Sequence, residues 1–191
     1  MLDVNKNMAE IKADKIEAAT RQIELAIRLL FQNEDPIGIH TLAAAGFRIL
    51  RDLGKAKKSE ISQYLTHIIK PGMEGRFWKV FSSAANFFKH ADSDPDGILE
   101  NVQEEINDVF ILFACFLYRD IEAHWTPQMV AFVAWYIAIH PEVLDYLQDD
   151  PVMRQIVQSQ EMCTVRNKSR DEQLDEGKIF IERASLLMKT I

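Results

Sequence analysis

This chain has little cysteine, no excess of positive charge and no long apolar run. Its 191 residues include two cysteines, Cys115 and Cys163. They lie far apart and have neither metal nor redox spacing. That excludes a disulfide-framed secreted fold and points to a reducing, cytoplasmic compartment. Cys115 sits inside an apolar run and reads as a small buried hydrophobe. The formal charge of −7 argues against non-specific binding to nucleic acid or to an anionic membrane, since both need a positive footprint. The two most apolar runs, 109–118 and 129–139, are about half of the ~20 residues that span a bilayer. The start, Met-Leu-Asp-Val-Asn-Lys, has no apolar signal core.

Several chemical signatures are also missing. No stretch alternates with period two for more than a few residues, no Asn-Gly hairpin signal occurs, and no repeat recurs at a fixed period. There is no Glu-x-x-His pair for a di-iron bundle and no His-Glu-x-x-His for a zinc protease. There is no Gly-rich phosphate loop and no nucleophile elbow.

What is present is helical periodicity. With 48% hydrophobic residues, the chain can bury a core and is not mainly disordered. Over 8–32, Ile16, Ala19, Ile23, Ala26, Ile27 and Leu30 fall on one face. Asp35-Pro36 is an N-cap followed by proline at the first helical position, opening a helix to about Leu53 with Gly54 as its stop. A third helix runs from Ser59 to Ile69, where Pro71-Gly72 breaks it. A fourth, from Arg76 to His90, carries an aromatic arc opposite a polar face. A fifth, from Val102 to Ile121, starts acidic and becomes apolar nearly all round, which marks a central helix. Thr126-Pro127 opens another helix to Ile139. His140-Pro141 and Asp150-Pro151 divide two short ones. A polar connection at about 163–172 leads to a last amphipathic helix at 172–189, which docks on its own bundle or on a partner subunit. The expectation is an all-α, single-domain bundle of about seven to nine helices over 1–191.

The densest chemistry lies between Asn86 and Glu100. Asn86 and His90, four apart, share a helix face, and imidazole can serve as acid, base or ligand. His40, near a helix N-terminus, is held towards its neutral form, suited to hydrogen bonding or ligation. Asp92, Asp94, Asp96 and Gly97 begin like an EF-hand calcium loop, but position twelve is Gln103, and a Pro-Asp-Gly turn explains the same residues. Glu100, Glu104 and Asp108 follow at intervals of four, either a carboxylate stack for Mg²⁺ or Mn²⁺ or a solvated face.

The stretches His40-Thr-Leu-Ala-Ala-Ala-Gly and Asn86-Phe-Phe-Lys-His-Ala-Asp resemble a family of uncharacterised bacterial all-helical proteins, over about residues 15–145. More distantly, a bundle with a histidine closing a polar helix is similar to HEPN-type domains, which carry Arg-x4–6-His and cleave RNA as dimers. Here Asn86, not arginine, precedes His90 by four. Arg76 lies fourteen residues away, roughly 21 Å along a helix.

Three functions are therefore in play. The first is a soluble binding module whose site, at the meeting of the second, fourth and fifth helices, holds Asn86, His90, Asp92 and His40 around a small polar ligand. The second is a metal-dependent hydrolase of a nucleotide or phosphoester, with Asp92, Asp94, Asp96, Glu104 and Asp108 as candidate ligands of a divalent ion beside His40 and His90. The third is a nucleic-acid-acting defence or toxin–antitoxin component, resting on the basic strip Arg76, Lys79 and Lys89. Whether the chain catalyses anything stays open. Association as a homo-oligomer, a dimer first, is expected with each.

Overall fold

A computed structural model describes residues 10–67, 74–92, 94–100, 102–146 and 165–187. Among these every regular element is helical, and the fold is all-α. The break at Pro71-Gly72, the short helix after Asp150-Pro151, and Cys163 lie outside the described residues.

Helix α1 (Lys15–Phe31) starts where the Asp14 carboxylate accepts from the Glu17 N–H at 2.8 Å. It ends at Asn33, whose φ of 56° is the left-handed turn that asparagine tolerates. Asp35 then caps α2 (Pro36–Lys57), accepting from the Ile37 N–H at 2.7 Å. This short connection folds α2 back onto α1. The helices meet so closely at Gly46 that a Cβ there would lie 2.7 Å from the Ile23 side chain.

Helix α6 (Ile106–Glu122) packs along the other side of α2, and α7 (Pro127–Ile139) contacts α1 and α6. Thr126 caps α7 by accepting from the Met129 N–H at 3.4 Å, with Pro127 in the first turn. Every residue from Met129 to Trp135 is buried, so α7 is the helix enclosed nearly all round. A 3-10 segment, Pro141–Tyr146, follows it.

The last helix, α8 (Arg170–Leu187), docks on α7 and α1 of its own chain. The Trp135 indole N–H donates to the Gln173 carbonyl at 2.6 Å. Phe31 meets Trp135 edge-on at 5.2 Å, and the Phe31 ring lies against the backbone of Gly177. No side chain fits at that contact, which is why a residue poor in helix propensity stands there.

Smaller helices cover the α2–α6 face: α3 (Glu60–His67), α4 (Glu74–Phe81) and α5 (Ser83–Phe87). Three boundaries differ from the sequence pattern. Gly54 does not stop α2; it sits inside the helix at a close approach to Leu117, Ser59 and Ser62, and Lys58, with φ of 56°, ends the helix instead. The fourth expected helix breaks at Ser82 into α4 and α5. Phe81 then stacks on Phe110 at 4.1 Å and meets Phe47 at 5.7 Å, while Ala84 and Ala85 are buried. The fifth begins at Ile106 rather than Val102, so Glu100 and Glu104 precede it and do not stack with Asp108 on one helix face. No helix among the described residues is long and apolar enough to cross a membrane.

Candidate functional site

Pro36 and the Asp35 cap fix the first turn of α2, and one turn later His40 falls on its buried side with Ile39, Ala43 and Ala44. His40 is 2% exposed. Opposite it stands Asn107 in the first turn of α6, also 2% exposed. The Asn107 amide N–H donates to the Pro36 carbonyl at 3.1 Å. Its carbonyl oxygen therefore faces His40 Nδ1, at 2.7 Å. An oxygen can only accept, so Nδ1 carries the proton and Nε2 holds a bare lone pair. Burial lowers the His40 pKa. The Asn107 hydrogen bond works the other way, and the charge of Lys89 adds to the lowering, so the ring is neutral at physiological pH. Nε2 is buried and has no hydrogen-bond partner. The rings of Phe88 and Phe110 stand edge-on to the imidazole at 5.6 and 5.0 Å.

His40 forms part of the wall of a cavity of about 480 Å³. The start of α2 contributes Pro36 and Ile37, and the end of α5 contributes Phe87 and Phe88. The segment before α6 adds Ile98, Leu99, Val102, Gln103 and Glu104, and α6 itself adds Ile106 and Asn107. Most of this lining is apolar. Its rim is also uncovered: Ile37 is 51% exposed, Ile98 82% and Val102 44%. Large apolar side chains gathered in the open around a concavity mark a place where something binds.

The turn that leads into this wall is the aspartate-rich loop. The Gly97 N–H donates to the Asp94 carbonyl at 2.9 Å, closing Asp94-Pro95-Asp96-Gly97 as a β-turn. Asp92, Asp94 and Asp96 are exposed. No group of three or more His, Cys, Asp or Glu side chains that could hold a metal ion forms among the described residues. The five carboxylates proposed from sequence are thus not drawn into one shell. The reason for Asp108 is plain: its side chain is 6% exposed and is taken by Arg170 through two hydrogen bonds of 2.8 and 2.9 Å.

Of the histidines and amides singled out from sequence, His40 is at the cavity, with Glu104 at its edge. Asn86, His90 and Asp92 are not part of the lining and are exposed. Asn86 accepts from Arg48 at 3.3 Å, and His90 lies beyond the end of α5. The cavity lies between α2, α5 and α6; of Asn86, His90, Asp92 and His40, expected together from sequence, only His40 lines it.

Asn107 and Arg170 were not legible as site residues. For Asn107 a signal exists: it shares a helical stripe with Phe110, Ile111 and Ala114, where an amide is out of place unless it is paired. Arg170 gives no such signal. It lies in a polar stretch and becomes partly buried because α8 lays it across Trp135, 5.3 Å from the ring centre.

Comparison with family models, with curated proteins and with solved structures returned no match to this chain.

Proposed function

We propose that this chain is a binding module for a small ligand with an apolar body and one polar end, seated between α2, α5 and α6. The observation that carries this reading is the coincidence of the 480 Å³ cavity, its exposed apolar rim and, in its wall, a neutral histidine whose buried Nε2 is unpaired. The volume falls within the roughly 300–1,000 Å³ of ordinary small-molecule sites. An unpaired buried acceptor costs about 1–3 kcal/mol, and a ligand that satisfies it recovers that cost on binding.

The test is a titration with N-phenyl-1-naphthylamine, an uncharged dye that brightens in apolar surroundings. Saturable brightening is expected with the native chain and with Asn86→Ala and His90→Ala. Val102→Trp fills the mouth from a position 44% exposed, and it is expected to abolish the signal without unfolding the chain. Equal brightening of native and Val102→Trp protein, or none with either, overturns the proposal.

A further inference from the structure

The geometry points to an uncharged hydrogen-bond donor, a hydroxyl or N–H, as the polar end of that ligand, delivered to His40 Nε2. This inference rests on the cavity being a ligand site. Asn107 has spent both ends of its amide, one on the Pro36 carbonyl and one on Nδ1. The tautomer is therefore locked, and Nε2 can offer only a lone pair. A carboxylate brought to that nitrogen would set acceptor against acceptor. An ammonium could donate, but it would give up its hydration in a cavity lined mostly by apolar side chains. A neutral alcohol, phenol or amide N–H meets neither penalty.

Nε2 itself is buried behind the cavity wall. Two rings stand against the imidazole, and they differ. Phe110 is 2% exposed and belongs to the core, whereas Phe88 is only half-buried and itself lines the cavity. Phe88 is therefore the cover that a ligand displaces. As a half-buried ring at the end of a five-residue helix, it is the more easily moved of the two.

The experiment compares 1-octanol, octanoate and octylammonium, which share one apolar body, by competition with N-phenyl-1-naphthylamine and by ¹⁵N NMR of the His40 ring. Octanol is expected to bind at least tenfold more tightly than either ion. It is also expected to shift Nε2 in the direction of a nitrogen that accepts a hydrogen bond, leaving Nδ1 protonated. Phe88→Ala, which removes the cover, is expected to tighten octanol severalfold. Octanoate or octylammonium matching octanol overturns this inference while leaving the cavity as a binding site. An Nε2 resonance indifferent to octanol in both native and Phe88→Ala protein makes His40 a structural residue and overturns it too. Failure of the dye and of all three probes instead removes the binding reading on which it rests.

Discussion

Replacing Arg170 with alanine breaks the ion pair that ties the last helix to α6, and the cost can be worked from that pair. Asp108 and Arg170 share two hydrogen bonds, of 2.8 and 2.9 Å, with side chains 6% and 23% exposed. Burial pushes the Asp108 carboxyl above its usual range, and the Arg170 hydrogen bonds pull it back. Burial likewise works against the guanidinium, but Asp108, Glu105 and Glu104 outweigh it and raise the Arg170 pKa. Removing one member of a buried pair costs about 3–5 kcal/mol, because the other is left charged and unpaired. Asp108 has little access to water, so Arg170→Ala falls in that range, at about 4 kcal/mol. Arg170 is better exposed, so Asp108→Ala costs less, about 2 kcal/mol. The double variant is expected to be less destabilised than the sum by about 1–3 kcal/mol.

The two variants also differ in pH dependence. Without Arg170, the folded-state pKa of Asp108 rises further above 3.8. Between 3.8 and that raised value the folded chain holds more protons than the unfolded one, so stability falls as pH rises through the window. The deficit of Arg170→Ala therefore grows from acid to neutral pH, and that of Asp108→Ala does not. Urea melts followed by circular dichroism at several pH values read both effects. Additive single-variant costs, or an Arg170→Ala deficit below about 1 kcal/mol and flat with pH, would refute a buried, coupled pair.

Other outcomes follow from the same structure. Gly177→Ala must displace the Phe31 ring, and overpacking at about 1–3 kcal/mol outweighs a helix gain of about 1 kcal/mol, so the thermal midpoint falls. Gly38→Ala is its control: a Cβ there meets nothing within 4 Å, and the same gain appears as higher stability. His40 has a folded pKa below 6.5, so stability is whole above 6.5 and is lost as pH falls from there towards the lowered value. The slope is at most about 1.4 kcal/mol per pH unit, and His40→Gln removes it. An NMR titration placing His40 at or above 6.5 would contradict its neutral burial.

Caps and periodicity made much of this architecture legible. Asp35-Pro36 and Thr126-Pro127 start helices where their chemistry says, and the stripe from Ile16 to Leu30 is the buried face of α1 apart from the partly buried Ile16. Local rules failed where tertiary packing took over. Gly54 reads as a stop because glycine commonly ends helices, yet it serves close packing against Leu117. The stretch 76–90 reads as one helix because nothing in its local pattern announces the break at Ser82. The site was half legible. Its place, and His40 in it, follow from helix faces. The partner of His40 is 67 residues away, and a hydrogen bond at that separation leaves no trace in local spacing. The dense polar run 86–96 draws attention by composition, but its carboxylates are exposed and serve a turn.

The most direct measurement is methyl NMR during a titration with 1-octanol. Saturable shifts are expected at Ile37, Ile98 and Val102, the exposed rim of the cavity. None is expected at Leu25 or Ile179, which are comparably exposed to Ile37 and Val102 but lie elsewhere on α1 and α8. Shifts spread evenly over all five, or confined to Leu25 and Ile179, would contradict a ligand site in this cavity.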